Sequence, residues 1–401
     1  MTLPAGRVDD TLRVREKICF VISSPMTADA FLASHIRALS ERYEVHLVLN
    51  GPPESILHPD LQRTRRFSAR IEREIAPFAD AAGLVQLTRI LRRGGYSAVH
   101  SLTPKAGLLT AIAAFAARVP VRLHTYTGQV WATRKGARRH FLKAFDLLIA
   151  KLDTHLLADS LSQRDFLRSE GVLARDQGIV LANGSVCGVD AERFRPDEAA
   201  RTAIRAALGI APDALVFLFV GRLTHDKGVL DLAHAFSRLA LLRENAFLVL
   251  VGPDEDDTSA GIREACATCG ARVRFVGFTQ EPERYMAASD VFCLPSYREG
   301  FGSVVVEAAA AGLPAIGSRI YGIVDAIEDG RTGLLVEPAN PGDLAAAMQR
   351  LADDAVFRQS LGKAARERAL KDFSQAALTG ALLEFYGGVL HVSCSRSGKP
   401  A

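Results

Sequence analysis

No apolar run in this 401-residue chain reaches the about 18 consecutive residues that a membrane-crossing helix needs, so no helical span is expected. Residues 1–16 carry charges where a secretory leader would carry an apolar core, which places the protein in the cytosol by expectation. Cysteine is sparse: the six, at positions 19, 187, 266, 269, 293 and 394, show no disulfide framework. Cys266 and Cys269 form one C-x-x-C without a second cysteine or histidine pair at zinc spacing, which points to neighbouring buried thiols on a helix and to no metal. There is a single tryptophan, Trp131. The first strand-to-helix turn lacks G-x-G-x-x-G, so a dinucleotide-dependent dehydrogenase loses its main support.

What remains is the composition of an ordinary globular protein, 48% hydrophobic and 23% charged, long enough for two domains of about 200 residues each. The net charge of +4 is unevenly spread: residues 1–190 carry 26 Lys and Arg against 18 Asp and Glu, and residues 191–401 carry 23 against 27. A basic first half suits an anionic partner; of a membrane face, a lipid diphosphate and nucleic acid, the first two are expected and nucleic acid is not. Arg63, Arg65, Arg66, Arg70 and Arg73, followed by Arg89, Arg92 and Arg93, read first as a solvated surface and second as a contact with anionic lipid. Arg134, Lys135, Arg138, Arg139 and Lys143 lead into an amphipathic helix with Leu142, Phe145, Leu148, Ile149 and Leu152 on one side. That apolar side is expected against the sheet, and the basic face could rest on lipid.

Short apolar strands alternate with amphipathic helices, the strands falling at 17–23, 45–49, 119–124, 215–220, 247–251, 273–276, 291–294 and 313–317. This is the doubly wound α/β pattern, in which ligand crevices lie at the carboxyl ends of strands. Residues 183–190, a loop rich in Gly and Asn, separate the halves where the charge balance changes sign, and substrates are expected in the cleft between them.

The densest signal lies in residues 289–314. A strand breaks at Pro295 and at Gly300-Phe301-Gly302, and an Ala-rich helix opens near Ser303. A helix N-terminus offers unpaired N–H groups and about half a positive charge, and glycines let a ligand approach the backbone. Glu299 and Glu307 frame this anion site, where a carboxylate fits if it accepts from neutral hydroxyls such as those of a sugar or ribose. As a purely structural residue Glu307 would cap the helix, yet a capping box around Ser303 puts its acid at Val306. Upstream, the strand 215–220 runs into Gly221-Arg-Leu-Thr-His-Asp-Lys-Gly228, setting Arg222 and Lys227 at the carboxyl edge of the second sheet. Two cations there can neutralise a diphosphate leaving group without a metal. In the first half His100, Lys105 and His124 lie at strand-end rims, His124 reading either as a satisfied strand-end histidine or as a substrate contact. Asp254-x-Asp256 imitates a metal-binding D-x-D, but the acidic loop 254–257 is most simply solvated.

Glu299-x7-Glu307 within Glu-Gly-Phe-Gly, preceded by Pro295-Ser296 and followed by Glu-Ala-x-Ala-x-Gly-x-Pro, resembles the signature of the GT4 family of retaining glycosyltransferases. The spacing in 221–228 resembles that family's diphosphate loop, and 183–190 its N-G-V-D linker. The resemblance implies the GT-B architecture, two doubly wound Rossmann-like domains facing a cleft. Residues 1–185 would bind the acceptor and 186–374 the donor, with a helix in 375–401 returning to the first domain and a frayed tail from 393. It implies a metal-independent hexosyltransferase that moves a sugar, with retention, from a nucleotide diphosphate to an acceptor hydroxyl. The donor is a co-substrate, UDP-sugar preferred over GDP-sugar, and no cofactor is needed. Arg222 and Lys227 would stabilise the leaving diphosphate, Glu299 would hold donor-sugar hydroxyls and Glu307 the ribose. Gly221, Phe278, Gly300, Phe301, Gly302 and Ser303 would line the nucleotide, Phe278 at the base. The family's Thr-x-His-Gly segment falls on Thr125-Tyr126-Thr127-Gly128, where Thr127 replaces the histidine; its role passes to His124 by a shift of register, to another group, or is not needed. Gly322 and Asp325 stand where the family often has Gly-Gly and Glu. The expected acceptor is a lipid-linked saccharide in surface polysaccharide or lipopolysaccharide assembly, with peripheral contact on the inner face of an anionic membrane; a soluble saccharide stays open. The alternative is a nucleotide-sugar epimerase of the same architecture, which needs no acceptor.

Overall fold

The computed structural model describes residues 15–55, 58–72 and 75–397, so Arg73, residues 1–14 of the charged N-terminal stretch and residues 398–401 of the expected tail lie outside it. Twelve strands form two sheets among the described residues. The first sheet holds β1 (Lys17–Ile22), β2 (Glu44–Leu49), β3 (Arg65–Ser68), β4 (Ala98–Leu102), β5 (Val121–Tyr126) and β6 (His155–Ala158), in the order β3-β2-β1-β4-β5-β6. The second holds β7 (Leu215–Val220), β8 (Ala246–Val251), β9 (Val273–Gly277), β10 (Val291–Leu294), β11 (Ala315–Ser318) and β12 (Gly333–Val336), in the order β12-β11-β10-β7-β8-β9.

Pairing is parallel throughout the second sheet, as it is between β1 and its two neighbours. Parallel strands covered on both faces have no solvent side, so they read as unbroken apolar runs. Strand β7, Leu-Val-Phe-Leu-Phe-Val, is buried at its four inner positions. In each sheet the chain winds outward from a central strand, returns, and winds out the other way. The order therefore reverses between β1 and β4 and again between β7 and β10, and in such folds the ligand crevice lies at this switch point. The second core gathers Phe217, Phe219 and Phe292 from the strands with Phe236 from the helix Val229–Leu242.

Strands β3, β6 and β12 lie outside the expected apolar runs. Edge strand β3 is Arg-Arg-Phe-Ser, with the Arg65 guanidinium over the Phe67 ring at 5.2 Å, so two residues of the arginine cluster belong to a sheet edge. Charged residues on an edge discourage pairing with another chain, and they also hide the strand. Strands β6 and β12 span only four residues each. Strand β5 begins after Pro120, which has no N–H to give a ladder; it ends at Tyr126, two residues later than expected, and the following loop opens at Thr127.

The chain packs as two compact units. One runs to His124 and takes in Leu152–Thr154 and the chain from Phe385; the other comprises Thr125–Lys151 and His155–Glu384. In the first, Tyr386 is fully buried, its hydroxyl 2.9 Å from His100 Nδ1 and its ring beside Phe20 and Tyr43. The helix Gln375–Ser397 carries on through residues 393–397, where a frayed tail was expected. Cys19, Cys187, Cys266, Cys269 and Cys293 are buried free thiols. Cys266 and Cys269 sit just beyond the helix Thr258–Ala265, with the Cys266 thiol donating to the Ala233 carbonyl. Among the described residues no helix is long and apolar enough to cross a membrane.

Candidate active site

Two loops at the switch point of the second sheet bring Lys227 and Glu299 together. After β7 the chain turns through the 3-10 segment His225–Lys227, and Gly228 starts the next helix with φ +68°. A Cβ on Gly228 would lie 2.0 Å from the Pro295 carbonyl oxygen, so only glycine lets the two loops meet this closely. The contact is then stitched by hydrogen bonds. Tyr297 N–H donates to the Asp226 carbonyl at 2.9 Å, Arg298 donates to the Asp226 carboxylate at 3.0 Å, and the Tyr297 hydroxyl donates to Asp231 at 2.7 Å. Across the seam, Lys227 Nζ and Ser296 Oγ both donate to Glu299 Oε1, at 2.5 and 2.8 Å. Arg222, five residues before Lys227 on the same loop, donates to Glu255 at 2.7 Å.

The far side of Glu299 is built as tightly. At Gly300 a Cβ would fall 2.7 Å from the Thr127 carbonyl carbon and 2.8 Å from Asp159 Oδ2, so this glycine answers a close approach of three segments. Ser160 Oγ donates to the Gly300 carbonyl at 3.2 Å, and Gly322 N–H donates to Ser162 Oγ at 2.8 Å. Ser162 Oγ also donates to Asp325, the acid expected to stand near the donor. Asp159 is buried, its Oδ1 lacks a hydrogen-bond partner, and burial pushes its carboxyl well above the usual range. The N-terminus of the helix Leu161–Ser169 is thus a latch on the loops that carry Gly300 and Gly322, a role no sequence pattern announced.

Gly302, with φ +74°, occupies the N-cap of the helix Ser303–Ala310, which makes Ser303 the first helical residue. Glu307 then stands five positions past the cap, too far for a capping box. Burial pushes its carboxyl up to about 7; Arg193 opposes this and Glu283 adds to it. Gly221 N–H is committed to the Val251 carbonyl at 2.9 Å. Phe278, just past β9, is exposed and able to meet a flat base.

Two expected contacts are corrected. Phe301 is 2% exposed and packs on Phe373 with ring centroids 5.1 Å apart, so its side chain belongs to the core and only its backbone can face a ligand. His124 is 1% exposed, its Nδ1 2.9 Å from Ser101 Oγ, and a Cβ on Gly107 would lie 2.3 Å from its ring. Burial pushes it down to about 3, so it is a neutral, walled-in imidazole. Lys105, at the same rim, pairs with Asp80 at 2.6 Å. In place of the family histidine, Thr127 lies against Gly300, which Asp159 also approaches. The acidic loop 254–257 is exposed, as a solvated loop should be, and two of its carboxylates also accept backbone hydrogen bonds. The Asp254 carboxylate accepts from Thr258 and Ser259 N–H at 2.9 Å each, and Asp256 accepts from His225 N–H at 2.9 Å. Trp131 is buried, donating to Asp146 at 2.7 Å and stacked on Phe166, with Arg139 and Lys143 over its face.

Residues 28–184 match the family model of the glycosyl transferase 4-like domain, and residues 200–368 that of the glycosyl transferases group 1. The chain is 28% identical over 324 residues to the capsular polysaccharide biosynthesis glycosyltransferase CapM of Staphylococcus aureus, covering 80% of this chain and 85% of that protein. It is 27% identical over 343 residues to the UDP-Gal:alpha-D-GlcNAc-diphosphoundecaprenol alpha-1,3-galactosyltransferase of Escherichia coli, covering 84% and 86%. Among solved structures, Anabaena Alr3699/HepE in complex with UDP and glucose superposes with a TM-score of 0.77 at 20% identity, over 93% of this chain and 100% of that one, a likeness of fold. Both relatives are transferases, and the epimerase alternative is not favoured.

Proposed function

Because the chain belongs to the GT4-type, group 1 glycosyltransferases, we propose that it transfers a hexose, with retention and without a metal, from a UDP-sugar to a hydroxyl of a lipid-linked saccharide in surface polysaccharide assembly. The observation that carries this reading is the cluster at the switch point: Lys227, Ser296 and Glu299 joined across two loops, with Arg222 on the first of them. The two cations would make charge-assisted hydrogen bonds to the diphosphate as the glycosidic bond breaks. The charge there is larger in the transition state than in the ground state, so these bonds lower the barrier rather than only tightening binding. Glu299 would hold donor-sugar hydroxyls and Glu307 the ribose, with the backbone at Gly221 and from Gly300 to Ser303 along the phosphates and Phe278 at the base. The leaving phosphate would take the acceptor proton on the same face, so no dedicated nucleophile is required. We assign acceptor binding to residues 1–185 and donor binding to 186–374.

UDP is preferred over GDP because the Escherichia coli relative is a UDP-Gal transferase. That relative's acceptor, a diphosphoundecaprenol, supports the lipid-linked class and a cytoplasmic, membrane-peripheral location. The helix Gly136–Leu152 and the two residues before it supply a surface for it: Arg134, Lys135, Arg138 and Lys151 are exposed together with Phe141, Leu147 and Leu148. Arg139 and Lys143 are not available, since both pair with Glu170, at 2.7 and 2.9 Å.

Thermal unfolding with UDP and with GDP, on the wild type and on Glu307→Ala, tests the donor half. A ligand that binds only the native state stabilises it by about 2.7 kcal/mol at a hundredfold excess over Kd. The expected result is a shift with UDP that the variant loses; no shift with either nucleotide would end the proposal. Transfer from a UDP-hexose to an undecaprenyl-diphosphate saccharide, with the product's anomeric configuration read by NMR, tests the rest.

A further inference from the structure

Arg222 is already occupied. Its guanidinium donates to the Glu255 carboxylate at 2.7 Å, and the loop that carries Glu255 is fixed against the loop that carries Arg222. Leu223 N–H donates to the Pro253 carbonyl at 2.8 Å, Glu255 N–H returns a bond to the Leu223 carbonyl at 3.2 Å, and Asp256 accepts from His225 N–H. Asp254 at the same time anchors the loop to the helix Thr258–Ala265, and its carboxyl is held down at about 2 by the groups it accepts from. The Glu255 backbone is thus held beside Arg222 by bonds on both sides. Its pair differs from the Lys227–Glu299 pair in exposure: the Arg222 and Glu255 side chains keep 37% and 32% of their surface, against 20% and 13%.

We propose that Glu255 is a resident competitor for the diphosphate site: its carboxylate takes the Arg222 guanidinium when no nucleotide is bound and yields it to an incoming diphosphate. This deepens the functional reading above and rests on it. A guanidinium presents the same fork of donors to a carboxylate as to a phosphate, so the two anions exclude each other on Arg222. A half-exposed ion pair contributes little net stability, so the exchange is reversible and the competition amounts to a few-fold in affinity. A nucleoside diphosphate product bears more charge at this point than the nucleotide sugar, so a carboxylate waiting beside Arg222 also speeds product release.

The test is calorimetric titration of UDP and GDP into the wild type, Glu255→Gln, Arg222→Ala and the double variant. For the nucleotide that binds, Glu255→Gln is expected to tighten binding about 3- to 5-fold, the worth of an exposed ion pair. In the Arg222→Ala background the same change is expected to give less than 2-fold. Unchanged or weaker binding in Glu255→Gln overturns the competitor, and so does an equal gain in both backgrounds, which would mark a general charge effect. Failure of the wild type to bind either nucleotide fails the functional reading itself and removes this inference with it.

Discussion

Lys227 and Glu299 depend on each other, because the ammonium and the Ser296 hydroxyl converge on one carboxylate oxygen. Lys227→Ala removes one of the two cations proposed to face the developing charge, and transfer is expected to fall by about 100- to 1,000-fold in kcat, read in a radiolabelled sugar-transfer assay. Glu307 answers to pH instead. Burial raises its carboxyl from the usual carboxylate range to about 7, so the folded protein favours the neutral form. Its ionisation then costs stability as pH rises from the unfolded value towards 7, and costs nothing below it. Glu307→Gln is therefore expected to melt above the wild type at pH 8, with the gap closing by about pH 4.5, in paired calorimetric scans without nucleotide. Both acids stood out in the sequence through their spacing and the glycines beside them. His124 and Phe301 stood out equally, and nothing local revealed that Gly107 and Ser101 bury the first and Phe373 the second.

Strands β7, β8 and β10 of the second sheet were legible because a parallel, doubly covered strand is apolar at every position, and the loops were legible through Gly and Pro. The latch at the N-terminus of Leu161–Ser169 was not. Its bonds join residues 140 and 160 positions apart, and serines in a loop carry no periodicity. Ser162→Ala removes the acceptor of the Gly322 N–H and the donor to Asp325, leaving the loop 322–325, proposed to face the donor, less fixed. Donor KM is expected to rise several-fold while the unfolding free energy drops by about 1–2 kcal/mol, the usual scale for one buried hydrogen bond. Steady-state kinetics beside urea unfolding would separate this outcome from general destabilisation. A loss of stability with unchanged KM would assign the latch to folding alone.

For the molecule as a whole, the basic first half was legible as a surplus of charge: Arg63, Arg65, Arg70, Arg89, Arg92 and Arg93 are exposed as expected, while Arg139 and Lys143 are taken up by Glu170. The cations left over on Gly136–Leu152 and just before it make the lipid test specific. Arg134→Glu with Arg138→Glu is expected to abolish sedimentation with phosphatidylglycerol vesicles, and the wild type is expected to detach as salt rises and the Debye length shrinks. Donor binding by the charge-reversed protein should be unchanged, since neither residue touches the switch-point loops.

The buried thiols lend the fold a clock. Burial pushes Cys19 and Cys266 up to about 12 and raises Cys187 and Cys293 still further, so none is a thiolate while its surroundings stay closed. Only the thiolate reacts with a disulfide reagent, so each thiol keeps silent until its own neighbourhood opens. Cys19 lies in one compact unit and Cys187, Cys266, Cys269 and Cys293 in the other. In a Cys394→Ser background, the order in which mass spectrometry finds these positions labelled at rising urea would record which unit lets go first, and saturating UDP should delay the second set alone.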